Sequence, residues 1–408
     1  MRIPRSLLLA SVVTLGVASG ACSSNATQPA TDAGDAATSA PDAAAPLMTD
    51  GQLRDAVRAL WTDRVMWTRF YVMEAIAKSP ATDAAAARLM QNQVDIGDAM
   101  RPFYGDAAAN QLTTLLRQGV TDAGATVAAA GANDMTAFAA AKAKWYADGD
   151  EVAKLLAGAN PNWALADLQA LIRGCSDDLL AEASARLAGD WSGDVAAYDK
   201  IDLQAQAMAD AIAAGLAKQF PGKVATSPDG PKVQALHVGM RVLWMQRTAW
   251  LRDWLVATIG KGADANAAAQ RLMKNQADMG DAIKPFYGDA AGAQLTTLLQ
   301  QGVTDAGATV AAAMAGDMNA FTTAKAKWYD DGDQVAHFLA SANPAWSEAD
   351  LKTAIHTCFD DALAEATARM KGDWKADVAA HDTIVKQARA VADTLSDGVA
   401  KQFPDKLK

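Results

Sequence analysis

The chain has 408 residues, of which 51% are hydrophobic and 21% are charged, and its formal net charge is −10. A chain of this length is long enough for more than one domain. Its acidic balance disfavours nucleic acids and anionic lipid headgroups as partners, so we expect no nucleic-acid binding and no basic membrane-binding surface.

The first 22 residues resemble a bacterial lipoprotein signal. Two arginines precede an apolar stretch, residues 7–17, that is too short to span a bilayer as a helix. Small residues then lead into Cys22, as in a lipobox, where the signal is cut before a cysteine that becomes lipid-modified. Lipoboxes usually carry Leu where this chain has Ser19. We therefore expect residues 1–22 to be a signal peptide with lipidation at Cys22; the alternative is an ordinary cleaved signal followed by an incidental cysteine.

Residues 23–46 contain almost no large apolar side chain, so they are predicted to form a disordered tether. A tether directly after a lipidated cysteine suits a membrane-anchored domain. By resemblance to Gram-negative lipoproteins, Ser23 after the cysteine indicates sorting to the outer membrane. We expect an exported protein that is attached to the membrane by its lipid and faces the periplasm or the cell surface.

The rest of the chain is duplicated. The sequence NQVDIGDAMRPFYGDAA begins at Asn92, and NQADMGDAIKPFYGDAA begins 183 residues later at Asn275. The same offset relates tryptophans, cysteines and phenylalanines of both halves without a gap, which indicates a tandem duplication. We predict copy one at residues 47–221, a linker at 222–232 and copy two at 233–408, each with its own core and able to fold alone.

Each copy is predicted to be all-α. Its segments are rich in Ala, Leu, Lys and Gln and lack the alternating pattern of strands. Capping residues such as Asp106 and Ser347 indicate helix starts, and stretches such as RPFYG and ANPNW indicate helix ends. About six helices per copy, joined by short turns, predict two tandem up-and-down helical bundles.

The first helix of each copy carries an arginine on its apolar face. In copy one this face comprises Leu53, Val57, Leu60, Arg64, Trp67 and Tyr71. In copy two, Arg247 lies between Leu243 and Trp250 at the same spacing. An unpaired buried guanidinium is costly, so we expect each arginine to have a carboxylate partner.

The second helix offers that partner. Asp95 lies on or beside its apolar face, which makes it the predicted partner of Arg64, and Asp278 is the equivalent partner of Arg247. Alternatively, the arginine bends its head group out to water.

Other polar residues are predicted to face the interior. On the fifth helix Cys175 lies in an apolar stripe, and Asp178 beside it is a second candidate partner for Arg64. On the fourth helix Asp148 lies next to an inward tryptophan. The candidate binding residues are Arg64, Trp67, Asn92, Asp95, Asp148, Cys175 and Asp178 in copy one, and Arg247, Trp250, Asn275, Asp278, Asp331, Cys358 and Asp361 in copy two.

The sequence carries no familiar catalytic or metal-binding pattern. Cys175 and Cys358 occupy equivalent places in separate cores, so we expect free thiols. Copy one has no histidine that could activate Cys175. No zinc spacing, Gly-rich phosphate loop or Ser-His-Asp pattern is present. We therefore predict no catalytic residue, no metal ligands and no cofactor, and a metal or haem stays an open alternative.

Several motifs resemble a bacterial family of uncharacterised single-bundle helical proteins that are often labelled glycosyltransferase by automatic transfer. These motifs are LWTDRVMWTR, NQVDIGDAMRPFYG, KWYADGDEVAKLLAGANPNW and GLAKQFP, and the resemblance covers nearly all of each copy. A nucleotide-sugar enzyme normally has a Rossmann-like half, and no strand pattern predicts one here.

The resemblance implies that histidine is usual where this chain has Arg64, Gly119 and Cys175, which in the relatives would suggest a metal or haem site. Copy two repeats these three substitutions. We therefore expect a lipid-anchored, non-catalytic module of the cell envelope that binds an unidentified small ligand or protein partner. The alternatives are a variant metal- or redox-binding bundle and an envelope glycosyltransferase.

Overall fold

A computed structural model describes residues 47–408, so the predicted signal peptide, Cys22 and the tether lie outside the described residues. Helices dominate this region, and a two-residue parallel strand pair (Met48–Thr49 with Val224–Ala225) and a 3₁₀ helix (Pro404–Leu407) complete it. The α-helices are α1 (Asp50–Ile76), α2 (Thr82–Gly131), α3 (Met135–Ala159), α4 (Leu165–Ala188), α5 (Trp191–Gln219), α6 (Pro231–Gly260), α7 (Ala265–Tyr287), α8 (Asp289–Ala315), α9 (Met318–Ala342), α10 (Glu348–Met370) and α11 (Trp374–Gln402). The all-α prediction is confirmed.

Glycine divides α2 into two helical halves. Gly105 has φ 80° and ψ 177°, a backbone conformation that favours glycine, and it interrupts the helix after the RPFY stretch. In copy two the equivalent Gly288, with φ 87°, separates α7 from α8. Each copy therefore contains six helical segments, as its sequence predicts.

Side-chain caps set several helix starts. The Thr49 hydroxyl accepts a hydrogen bond from the Gln52 backbone N–H, and the Gln52 side chain accepts one from the Thr49 N–H, which is a capping box at the start of α1. Ser347 accepts a hydrogen bond from the Asp350 N–H at 3.3 Å at the start of α10. These contacts satisfy N–H groups that the first helical turn leaves without partners.

The helices of each copy close into a ring. Consecutive segments pack side by side, and the last helix of each copy packs against the first, α5 on α1 and α11 on α6. This is the connectivity of an up-and-down bundle. Apolar side chains such as Leu53, Ile96 and Met208 form the core of copy one.

The two copies share a further core cluster. Trp67 and Trp250 are completely buried in it, and it combines apolar side chains of α1, α2 and α5 with those of α6, α7 and α11. Residues 47–408 form one compact unit. Each copy thus has its own core and also contributes to a common one, while the domain boundaries stay a prediction.

The contacts between copies are reciprocal, as in a two-fold dimer. Arg88 of copy one pairs with Asp382 of copy two at 2.8 Å, and the equivalent Arg271 of copy two pairs with Asp199 of copy one at 2.8 Å. The duplicated bundles therefore bury the same face against each other.

Buried ion pairs add to this interface. The Arg69 guanidinium donates to Glu182 at 2.7 Å, to Asp194 at 2.9 Å and to Asp253 of copy two at 2.7 Å. The equivalent Arg252 donates to Glu365 at 2.5 Å and to Asp377 at 2.8 Å. Arg186 and Arg369 bind carboxylates of the opposite copy in the same two networks.

Among residues 47–408, no helix combines the length and the apolar character that crossing a membrane requires.

Candidate functional site

Each bundle encloses a cavity at its centre. The cavity volume is about 110 Å³ in copy one and about 100 Å³ in copy two. Both cavities are lined mainly by apolar side chains from all the helices of their ring. Many equivalent residues line both cavities, among them the pairs Arg64 and Arg247, Gly119 and Gly302, Asp148 and Asp331, Gly149 and Gly332, and Cys175 and Cys358.

Two glycines in each copy shape the cavity. A Cβ atom built on Gly119 or Gly302 meets nothing within 4 Å, so these glycines leave space open on the wall. A Cβ atom on Gly149 would lie only 2.8 Å from Cγ2 of Ile172. The absence of a side chain at Gly149 therefore lets α3 pack close to α4. The first type of glycine keeps the cavity hollow, and the second lets two of its helices approach.

Arg64 and Arg247 face the cavities without a carboxylate partner among residues 47–408. Both arginines are half-buried, and desolvation of the guanidinium lowers the pKa of both. The Arg64 guanidinium lies 5.1 Å from the centre of the Trp61 ring, and Arg247 lies 5.5 Å from that of Trp244. In copy two the Arg247 Nε is buried with no hydrogen-bond partner in the described chain.

The predicted pairing of Arg64 with Asp95 is wrong. Asp95 lies on the outer side of α2, where it accepts a hydrogen bond from Gln91 at 3.0 Å and lies 3.9 Å from Arg88. Asp178 does not replace it, because its carboxylate accepts from Lys200 at 2.7 Å and from Gln204 at 2.6 Å. Helical spacing locates the inward face of α2 only to within one residue. A shift of one residue turns a side chain by about 100° around the helix axis, which is enough to move Asp95 from the inner to the outer side.

The same holds in copy two. Asp278 pairs with Lys274 at 2.7 Å and lies 4.0 Å from Arg271, so it does not partner Arg247. Asp361 forms no ion pair with Arg247 either, and one of its carboxylate oxygens is buried without a hydrogen-bond partner within the described region.

The cavity thiols are held in their neutral form. Burial raises the pKa of Cys175 to about 11, against the opposing effect of the Arg64 cation. Burial also raises the pKa of Cys358. Both cysteines are free, as predicted. A protonated thiol is a weak nucleophile and a poor metal ligand.

The aspartates on the cavity walls, Asp148 and Asp331, both have raised pKa values. Burial, together with a hydrogen bond shared with Asp122, raises the pKa of Asp148 to about 6, and Lys144 opposes this shift. In copy two, burial and Asp305 raise the pKa of Asp331 to about 7. Cavity one has a further carboxylate on its wall, Glu182, which accepts the hydrogen bond from Arg69.

The other candidates lie away from the cavities. Asn92 donates to the Leu60 carbonyl at 3.0 Å, and Asn275 makes the same bond to Leu243, so both tie the first two helices of their copy together. Trp67 and Trp250 lie in the shared cluster between the copies. The first helix of each copy is buried on two sides: one side faces the cavity of its own copy, and the adjacent side packs against the other copy. The two tryptophans lie on the second of these sides.

Three of the lining positions that differ between the cavities carry a hydroxyl group in copy one and an apolar or aromatic side chain in copy two. Copy two has Leu251, Trp254 and Phe359 where copy one has Thr68, Tyr71 and Ser176. The ring of Phe359 stacks on Trp328 with centroids 4.2 Å apart. Cavity two is therefore the more apolar and more aromatic of the two.

The helical spacing predicts the inward position of Tyr71 but neither the Arg69 network nor the inward position of Trp61. The internal repeat carries a signal for the network, because Arg69, Glu182 and Asp194 recur as Arg252, Glu365 and Asp377. Charged residues that both copies keep within apolar helices indicate buried ion pairs.

The donors at the three positions where the resemblance implies histidine do not suit a metal or haem. Arg64, Gly119 and Cys175 line one cavity, but they provide a cation, no side chain and a protonated thiol. Within residues 47–408, no group of three or more His, Cys, Asp or Glu side chains could hold a metal ion.

Comparison of the chain with protein-family models, with curated proteins and with solved structures gives no match.

Proposed function

We propose that this protein binds small, largely apolar ligands, one in the central cavity of each bundle, and does no chemistry on them. The observation that carries the proposal is the repetition of the cavity. Both copies keep a hollow at the same place, with the same arginine, glycines, aspartate and cysteine on its wall.

An empty cavity is a cost to the fold. At about 24 cal/mol per Å³, a hollow of 110 Å³ costs roughly 2–3 kcal/mol of stability. Larger side chains at Gly119 and Gly302 would fill it, and both copies lack them. Retention of the same unfilled volume twice favours a use for it.

The size and lining favour a compact apolar ligand. An apolar cavity of about 150 Å³ admits benzene, so these cavities suit molecules of about that size. Burial of each methylene group contributes about 0.8 kcal/mol, which gives a small ligand a useful affinity.

The proposal includes attachment to the membrane. The charged start, the apolar stretch and the lipobox-like approach to Cys22 support export and lipidation, and the predicted tether would let the bundles stand off the outer membrane. Cys22→Ala should move the protein from the membrane fraction to the soluble fraction and abolish labelling by a fatty-acid probe. Persistent labelling of that variant would refute the anchor.

Calorimetric titration with hexan-1-ol tests the binding function. We expect two molecules per chain in the wild type, one in Gly119→Leu, and none in Gly119→Leu/Gly302→Leu, because leucine fills the open space. Gly158→Leu is the matched control, since Gly158 is an exposed helical glycine with nothing within 4 Å and does not line a cavity. Binding that the double variant leaves unchanged would contradict the proposal.

A further inference from the structure

We propose that the ligand is a monoanion, a carboxylate on a short apolar chain or ring, and that Arg64 and Arg247 bind its carboxylate group. This inference rests on the proposed function and names the ligand class of the same two cavities.

The first step is the contrast among the interior arginines. Five buried arginines each have a carboxylate partner: Arg69, Arg186, Arg252, Arg271 and Arg369. Arg64 and Arg247, which are half-buried on the cavity walls, have no carboxylate partner within residues 47–408. The fully buried arginines therefore all have counterions, whereas the carboxylates on the cavity walls form no ion pair with Arg64 or Arg247.

The second step is the cost of that arrangement. A half-buried cation without a carboxylate partner loses part of its hydration and gains no ion pair in return. An aromatic ring next to each guanidinium offsets part of this loss, because Trp61 and Trp244 lie within cation–π distance. The Arg64 guanidinium donates no hydrogen bond within residues 47–408, and Arg64 is partly exposed and lines the cavity, so its N–H groups remain available.

The third step is the match to a carboxylate. A guanidinium presents parallel N–H donors that fit the two oxygens of one carboxylate. One guanidinium per cavity neutralises one negative charge, whereas a dianionic phosphate monoester would bring a second charge without a partner. Nearby, the Cys175 thiol is neutral, and the Glu182 carboxylate is already bound to Arg69. The wall of cavity one also carries Asp148, whose pKa is raised to about 6, and three hydroxyl groups. Most of the remaining lining is apolar, so the remainder of the ligand is apolar as well.

Titration of the intact protein with hexanoate and with hexan-1-ol tests the inference. The two probes share a chain length and differ in charge. We expect the wild type to bind hexanoate about 10–100-fold more tightly than hexan-1-ol, the range that a charged hydrogen bond supplies. Arg64→Gln/Arg247→Gln should lose this preference and keep its affinity for hexan-1-ol. Arg117→Gln, which removes an exposed arginine of α2 outside the cavity, should behave as the wild type.

The outcomes separate the two proposals. Equal affinity for both probes in the wild type, or a hexanoate preference that survives the loss of both arginines, would overturn the anionic ligand and leave the cavity function standing. Binding of neither probe would overturn the cavity function itself. Hexanoate binding that Gly119→Leu/Gly302→Leu leaves intact would place the anion outside the cavities and overturn the inference.

Discussion

Arg69 of the first copy and Asp253 of the second form a salt bridge of 2.7 Å in which both side chains are about 1% exposed. The same guanidinium also donates to Glu182 and Asp194. One arginine therefore holds three carboxylates from three helices in the interior. The opposite case lies five residues earlier on the same helix, where the half-buried Arg64 lines the cavity and has no carboxylate partner within residues 47–408.

Loss of Arg69 should destabilise the protein strongly. Arg69→Met leaves three carboxylates without their shared cation, and we expect the free energy of unfolding to fall by about 3–5 kcal/mol. Arg58→Met is the control, because the Arg58 pair with Asp210 is partly exposed and worth at most about 1 kcal/mol. Urea denaturation monitored by circular dichroism measures both. Similar small losses for the two variants would show that the network is not a stabilising unit.

Loss of Arg64 should instead increase the free energy of unfolding. Arg64→Met exchanges an interior cation without a partner for an apolar side chain of similar length, so we expect the ligand-free protein to gain about 1–2 kcal/mol. The same denaturation measurement applies, and Arg247→Met should repeat the gain in copy two. A loss of more than about 1 kcal/mol would mean that Arg64 has a stabilising partner, which the proposed ligand role does not allow.

The pattern of the sequence predicted the helices and their breaks because these depend on neighbours along the chain. Glycine at 105, caps such as Ser347 and the apolar periodicity all act within one or two helical turns. The inward positions of Arg64, Asp148 and Cys175 follow from the same periodicity, and the structure places all three on one cavity wall.

The partners of the buried charges could not be predicted in that way. The periodicity of a helix identifies a face but not what packs against it. Asp253 comes from the other copy, and Glu182 comes from a helix more than a hundred residues away in sequence. For the same reason the helical spacing predicts Trp67 in the binding site, whereas Trp67 packs between the copies beside His381.

The two copies should assemble when they are made as separate chains. Residues 47–221 and 233–408 share a buried cluster around Trp67 and Trp250 and reciprocal ion pairs, so we expect a 1:1 complex that behaves as the intact unit. Sedimentation of the mixture against each fragment alone measures the association. Arg271→Glu, which places two acids opposite each other at Asp199, should weaken it. Fragments that stay apart at micromolar concentration would show that the linker, rather than the shared cluster, holds the copies together.

Ligand affinity should fall as the pH rises through about 7 in copy two. Burial and Asp305 raise the pKa of Asp331 to about 7, with Lys327 opposing and Asp330 adding to the shift, so this side chain on the cavity wall is neutral below that pH and negative above it. A new negative charge on the wall disfavours a bound anion, and we expect the hexanoate affinity to drop by about two- to tenfold.

The free energy of unfolding should also decrease as the pH rises. The folded pKa of Asp331 lies above the ordinary 3.8, so between about pH 4 and 7 the folded state holds a proton that the unfolded state has released. Stability from this group is therefore lost as the pH rises through that window and is level above it. The Gly119→Leu variant isolates cavity two for calorimetry between about pH 5.5 and 8.5, where hexanoate stays ionised. Asp331→Asn in that background should give an affinity that no longer declines near pH 7. An unchanged decline in the asparagine variant would assign the titration to another group and contradict the role of Asp331.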